Sequence, residues 1–121
     1  RAALESIGYI VTDVLKAMGD DADLQLGVIH ADGGAVRNAF LMQFVADMNQ
    51  LKVRASQTPE LSALGAVFSG CLGLKIYTAL EDLQKLPVGF VEYSASMDPA
   101  RANNLFSGWQ SAVQQVLNTP K

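Results

Sequence analysis

A short apolar stretch that runs into two glycines and then into a helical pattern is the feature that most constrains the fold. Residues Leu24–Ala31 are apolar with a period of two, which predicts a strand. Asp32, Gly33 and Gly34 interrupt this pattern. Beyond them the apolar residues recur at helical spacing, namely Val36, Phe40, Leu41, Phe44, Val45 and Met48. The glycines therefore stand where a strand passes into a helix.

This junction has two interpretations. A ligand can lie against bare backbone at Gly33 and Gly34, and Asn38, one helical turn after Gly34, carries both a donor and an acceptor. Alternatively, Asp32 caps the helix and the glycines only form a tight turn. Asp32 could also hold water or a metal beside a bound ligand, although the cap is favoured. Arg37 either contacts such a ligand or occupies an exposed helix position, which is the simpler interpretation.

A second strand is predicted at Leu51–Ala55, with the intervening helix as a crossover, which favours a parallel pair. Lys52 and Arg54 alternate with Val53, which suggests a strand near the edge of the sheet. The apolar character of the first strand predicts helices on both of its faces. His30 on that strand is interpreted as a structural residue, because no second catalytic side chain stands in a suitable relation to it.

Further helices are predicted on either side of this unit. The first would end at Gly19 and the acidic run 20–23, a solvated loop. Its apolar stripe would be Leu4, Ile7, Val11, Val14, Leu15 and Met18.

A helix would start at Thr58-Pro59-Glu60 and run to about Leu74. Its many small residues favour tight packing against the sheet, with Cys71 buried, or else a closely approaching ligand.

The residue pattern in the C-terminal part of the chain predicts two more helices. A short one covers Thr78–Leu86, and a longer one begins at Asp98-Pro99. The segment Val88–Met97 is interpreted as a loop. The buried stripe of the last helix would be Leu105, Phe106, Trp109, Val113, Val116 and Leu117, with Trp109 as a packing residue.

Composition excludes several classes of function. The chain has 121 residues, half of them apolar, which is enough for one domain with a core. The net charge of −3 and the lack of a Lys/Arg cluster argue against a nucleic-acid partner. Cys71 is the only cysteine, which excludes an intrachain disulfide and a cysteine-based metal site and favours a cytoplasmic setting. No signal peptide or membrane span is predicted, since the most apolar run, Leu61–Ile76, is too short.

Several stretches in order resemble the FGGY carbohydrate kinases, and within that family the glycerol kinases. They are RAALESIGYIVTDVLKAM, ADGGAVRNAFLMQFVADM, TPELSALGAVFSG and LFSGWQSAV. In that family the second glycine and the asparagine four residues later contact the ADP nucleoside. The resemblance therefore implies that Gly34 and Asn38, with Gly33 beside them, hold an adenine nucleotide. If Asp32 is not the cap, it would hold water or a metal beside the nucleotide phosphates. If Arg37 contacts the ligand, it would touch a phosphate or the ribose.

The resemblance also implies the fold and the reaction. The fold would be α/β: the C-terminal part of a ribonuclease-H-like (actin-type) ATPase domain, with about two strands and four or five helices over residues 1–121. The whole enzyme would transfer the γ-phosphoryl group of ATP, with Mg²⁺, to glycerol or a related polyol or sugar. Its phosphate loop, polyol pocket and catalytic aspartate would lie upstream, so we assign no catalytic residue and no metal ligand here. A homo-oligomer is expected.

Two alternatives stay open on the sequence. The parent enzyme could phosphorylate another sugar, such as xylulose, because the substrate contacts would lie upstream. The chain could instead be a stand-alone, non-catalytic nucleotide-binding module.

Overall fold

The computed structural model of the chain describes residues 1–23, 25–58, 61–84 and 89–118. Five α-helices, three strands and one 3₁₀ helix make up this part. In chain order they are α1 (Ala2–Ala22), β1 (Val28–Ala31), the 3₁₀ helix (Gly34–Arg37), α2 (Ala39–Asn49), β2 (Lys52–Ser56), α3 (Leu61–Gly73), α4 (Leu80–Gln84), β3 (Phe90–Tyr93) and α5 (Pro99–Leu117). Leu24, Pro59-Glu60 and residues 85–88, on which parts of the predicted elements fall, lie outside the described residues.

The three strands form one sheet in the order β1-β2-β3. β1 and β2 are parallel, with Ile29 opposite Val53, so the predicted crossover through α2 is confirmed. β3 is antiparallel to β2 and lies in the segment that we predicted to be a loop. The four-residue strand has a weak sequence signal of its own, and pairing with β2 stabilises it.

The prediction that β2 lies near the sheet edge is wrong, because β2 is the central strand of the described sheet. Its two cations face Glu92 on β3. The Lys52 Nζ atom lies 3.3 Å from one carboxylate oxygen and the Arg54 Nε atom 3.1 Å from the other. The alternating charges of β2 therefore mark cross-strand ion pairs rather than an exposed edge.

One hydrophobic core lies between α2 and one face of the sheet. Leu41, Val45 and Ala46 of α2 pack with Val53 and Ala55 of β2, and all five side chains are buried. The predicted helical face of α2 is thus largely confirmed, although Phe40 remains 41% exposed. The opposite face of β1 is exposed at Val28 and His30, so the helix predicted on that face is not found among the described residues.

A second cluster joins α2 to α1 and α5. Phe44 and Met48 pack with Ala102 and Phe106. α1 comes so close at Gly8 that a Cβ there would lie 2.5 Å from the Phe44 Cδ1 atom.

Trp109 stacks on Tyr9 with ring centroids 5.4 Å apart, and its indole Nε1 donates to Asp13 at 2.7 Å. Trp109 is therefore a packing residue, as predicted.

The predicted ends and buried faces of the outer helices are partly wrong. α1 continues through Gly19 to Ala22, and its buried residues are Gly8 and Thr12, whereas Ile7, Val14 and Met18 are exposed. α2 meets α1 at Gly8, which decides the buried side. The acidic residues at the end of α1 are exposed, as predicted.

α3 has no buried residue, so the predicted tight packing of this helix against the sheet is not found in the described chain. Added Cβ atoms at Gly65, Gly70 and Gly73 would meet nothing within 4 Å. Cys71 is half-buried rather than buried. At the end of α5, Val116 and Leu117 are likewise exposed instead of buried.

Candidate functional site

An open cleft of about 570 Å³ lies at the carboxyl ends of the parallel strands β1 and β2. In open α/β sheets this is the edge at which ligands bind. The cleft is bounded by the residues that follow each strand, the 3₁₀ helix, the start of α3 and β3. Its lining comprises Asp32, Gly33, Gly34, Val36, Arg37, Ser56, Gln57, Thr58, Leu61, Ser62, Val91 and Tyr93.

The two glycines contribute in different ways. Gly33 has φ +83° and ψ −174°, a conformation almost confined to glycine, and it turns the chain from β1 into the 3₁₀ helix. Gly34 does not need positive φ, and a Cβ there would meet no atom within 4 Å. No protein atom among the described residues therefore explains the missing side chain at Gly34, and the free backbone surface beside it is open to a ligand.

Asn38 is the N-cap of α2. Its Oδ1 atom accepts a hydrogen bond from the Leu41 backbone N–H at 3.0 Å. The prediction that Asp32 caps the helix is therefore wrong. The reason is the four-residue 3₁₀ helix between Asp32 and α2, which moves the first α-helical turn to Ala39. Asp32 is exposed and lines the cleft, so its other predicted position, beside a bound phosphate, stays a prediction.

The structure thus brings three of the four predicted site residues into one cleft. Asp32, Gly33 and Gly34 line it, whereas Asn38 is half-buried, is not part of the lining, and has its side-chain carbonyl oxygen engaged in the cap. The amide nitrogen of Asn38 is free to donate, since no described residue accepts from it.

The sequence analysis missed the far wall of the cleft. Ser56 is the last residue of β2 and Thr58 follows that strand, and the Ser56 hydroxyl accepts a hydrogen bond from the Thr58 N–H at 3.1 Å. Val91 and Tyr93 come from β3. The parallel pairing of β1 and β2 was itself a signal for the residues after β2, because the carboxyl ends of parallel strands meet at one edge. The contribution of β3 could not be found without that strand.

The chemistry available in the cleft is that of binding. Its walls combine apolar side chains with hydroxyl and amide groups, one carboxylate and one guanidinium. Within the described residues no three His, Cys, Asp or Glu side chains stand close enough to hold a metal ion. His30 lies elsewhere, on an exposed sheet face with its ring edge-on to Phe90 at 5.9 Å, in keeping with the predicted structural role.

Comparison with known proteins gives the family. Residues 1–74 match the C-terminal domain of the FGGY family of carbohydrate kinases. The chain belongs to this family. The resemblance noted in the sequence is therefore confirmed.

Individual relatives extend the similarity over nearly the whole chain. The chain is 41% identical to a glycerol kinase from Shewanella frigidimarina over 116 residues, which is 96% of this chain and 23% of the relative. It is 43% identical to a glycerol kinase from Pseudomonas tolaasii, with the same coverage. The chain thus spans about a quarter of the length of these relatives.

Solved structures agree on the fold. A crystal structure of Plasmodium falciparum glycerol kinase with ADP superposes with a TM-score of 0.84 at 28% identity, covering 99% of this chain and 24% of that one. A xylulose kinase from Rhodospirillum rubrum gives a TM-score of 0.65 at 24% identity, covering 98% of this chain and 25% of that one, and supports the fold alone. The predicted α/β sugar-kinase fold is confirmed. Among the described residues no helix is long and apolar enough to cross a bilayer.

Proposed function

We propose that residues 1–121 form the C-terminal part of the nucleotide-binding domain of a longer, ATP-dependent kinase that phosphorylates glycerol or a related polyol or sugar. In this proposal the chain holds the adenine nucleotide. Gly33 and Gly34 offer bare backbone, and the Asn38 amide donates a hydrogen bond to the nucleoside. The enzyme would act in the cytoplasm as a homo-oligomer on a small-molecule substrate.

The observation that carries the proposal is the open backbone of Gly34 on the wall of the cleft. It faces a cleft at the carboxyl ends of two parallel strands, where the protein itself would accept a side chain. A ligand that lies flat against the backbone explains the missing side chain. The glycerol kinase of known structure with a TM-score of 0.84 was crystallised with ADP, which indicates the class of ligand.

The cleft suits a nucleotide in size and in character. Its volume of about 570 Å³ lies within the range of about 300–1,000 Å³ usual for small-molecule sites. Val36, Leu61 and Tyr93 supply apolar surface for a base, and the hydroxyls of Thr58 and Ser62 can hydrogen-bond polar groups. The nucleotide itself supplies the phosphoryl group, and these residues bind and orient it.

The cleft could contribute one protein ligand to Mg²⁺. Asp32 is its only carboxylate among the described residues, and Mg²⁺ is usually held by one or two carboxylates together with phosphates and water. Following the resemblance, we assign most of the metal site, the catalytic base and the acceptor pocket to the remainder of the enzyme. A kinase for another sugar, such as xylulose, differs only in that remainder.

Substitution of Gly34 by alanine tests the nucleotide site. Because a Cβ atom at this position would have no atom within 4 Å, Gly34→Ala should leave the melting temperature of the full-length enzyme unchanged. A methyl group between backbone and ligand should weaken ADP binding by about tenfold or more, equivalent to about 1.4 kcal/mol. Calorimetric titration with ADP measures the affinity, and titration with glycerol serves as the control.

The matched variant is Gly65→Ala on α3, another glycine whose Cβ would meet nothing within 4 Å and which does not line the cleft. It should leave both affinities unchanged. Unaltered ADP affinity in Gly34→Ala would contradict the proposed site. A stand-alone, non-catalytic module would be indicated instead if the reading frame began immediately before Arg1 and the protein bound ADP without kinase activity.

A further inference from the structure

Arg37 is a cation in the candidate cleft that the proposed function has not yet used. It is exposed, and no carboxylate of the described residues lies within ion-pair distance of it. Three other basic side chains form ion pairs with carboxylates: Arg1 pairs with Glu5, and Lys52 and Arg54 pair with Glu92. The guanidinium of Arg37 is therefore available to a ligand.

The position of Arg37 in the 3₁₀ helix directs it to the same side as Gly34. A 3₁₀ helix has three residues per turn, so side chains at i and i+3 eclipse each other. The helix begins at Gly34 and ends at Arg37, which makes these two residues such a pair. Both line the cleft. A ligand that occupies the space left by the missing Gly34 side chain thus lies directly beside the arginine.

The chemistry of the side chain indicates which part of the ligand it contacts. Guanidinium presents a planar set of donors that match phosphate oxygens in a bidentate arrangement, and such charge-assisted bonds are stronger than neutral ones. A nucleotide carries its negative charge on its phosphates. Asp32, the carboxylate of the same cleft, does not neutralise Arg37 by direct contact, so the attraction for an anion is retained.

Resting on the proposed nucleotide site, we infer that Arg37 is a binding residue for the phosphate groups of the adenine nucleotide and sets the preference for ADP over adenosine.

Titration with three ligands that differ in their number of phosphate groups tests the inference. Adenosine, AMP and ADP are titrated calorimetrically, without Mg²⁺, into the full-length wild-type enzyme and into Arg37→Ala and Arg37→Lys. In Arg37→Ala the affinity for ADP should fall by about tenfold or more, whereas the affinity for adenosine should stay unchanged. Arg37→Lys should recover part of the loss, because it keeps the charge but not the bidentate geometry.

The matched control is Arg101→Ala, which removes an equally exposed arginine on α5 that does not line this cleft. It should leave all three affinities as in the wild type. Equal losses for adenosine and ADP in Arg37→Ala, or no loss for ADP, would overturn the phosphate contact while leaving the nucleotide site intact. A wild-type enzyme that binds none of the three ligands would overturn the proposed function together with this inference.

Discussion

At the scale of single residues, Asn38 shows how a side chain can be assigned a ligand role and be found in a structural one. Its Oδ1 atom caps α2, and only its amide nitrogen remains for a nucleoside. Asn38→Ala would therefore change both the stability and the ADP affinity, since loss of an N-cap costs about 1 kcal/mol. Serine separates them, because it also caps helices but lacks the amide donor.

We expect Asn38→Ser to keep the free energy of unfolding near the wild-type value and to weaken ADP binding by about 2- to 12-fold, as for the loss of one hydrogen bond. Asn38→Ala should show the same loss of affinity together with a loss of stability of about 1 kcal/mol. Urea denaturation and ADP titration measure the two quantities. Wild-type affinity in the serine variant would remove Asn38 from the site.

At the scale of elements, one carboxylate holds the segment between β3 and α5 against α2. Asp47 is only 7% exposed, and its Oδ1 atom accepts from the backbone N–H groups of Ser96 at 2.7 Å and Met97 at 3.0 Å. The Gln43 amide donates to the same oxygen at 3.0 Å. Burial by itself raises the pKa of Asp47, but these hydrogen bonds outweigh it and the pKa is lowered.

The sign of this shift fixes the pH dependence. Because the folded-state pKa lies below the unfolded value, Asp47 contributes stability above the unfolded pKa, and this contribution is lost as the pH falls through the folded pKa. Asp47→Asn should lower the free energy of unfolding at pH 7 by about 1–3 kcal/mol, since a neutral amide oxygen accepts these hydrogen bonds more weakly than a carboxylate oxygen does. It should also reduce the acid sensitivity of stability.

Urea denaturation between pH 7 and the acid range measures both effects. Asp21→Asn, which changes an exposed carboxylate of α1, is the control and should leave the stability close to that of the wild type. An Asp47→Asn variant with unchanged stability at pH 7 would contradict the role of Asp47 in holding this segment.

At the scale of the whole molecule, an exposed apolar surface marks α3 and the turn that follows it. Val67, Leu74, Ile76 and Leu80 are exposed by 59–77%, and α3 has no buried residue. We expect so many exposed apolar side chains along one segment to contact another part of a protein. In the proposed full-length enzyme, the remainder of the domain would cover it.

This chain expressed by itself should therefore self-associate at micromolar concentration, as sedimentation velocity would detect. Leu74→Lys combined with Ile76→Lys should increase the monomer fraction, because charged side chains disfavour burial of the surface. Val116→Lys with Leu117→Lys, at the exposed end of α5, is the comparison and should have a smaller effect. A wild-type chain that is monomeric at all concentrations would contradict the prediction.

The sequence by itself determined the parts of the fold that depend on neighbours along the chain. The strand-to-helix junction at Asp32-Gly33-Gly34, the α2 crossover with its parallel pair, and the start of α5 at Asp98-Pro99 were predicted and found. In each of these, the deciding interactions join residues a few positions apart, or follow from the handedness of a short connection.

Only the tertiary structure decided which faces are buried and what completes the cleft. β3 exists because it pairs with β2, more than thirty residues away, and it brings Val91 and Tyr93 to the site. The buried side of α1 is set by the approach of Phe44 to Gly8, and the cap of α2 by the 3₁₀ helix that displaced Asp32. Such contacts join distant residues, and local periodicity carries no information about them.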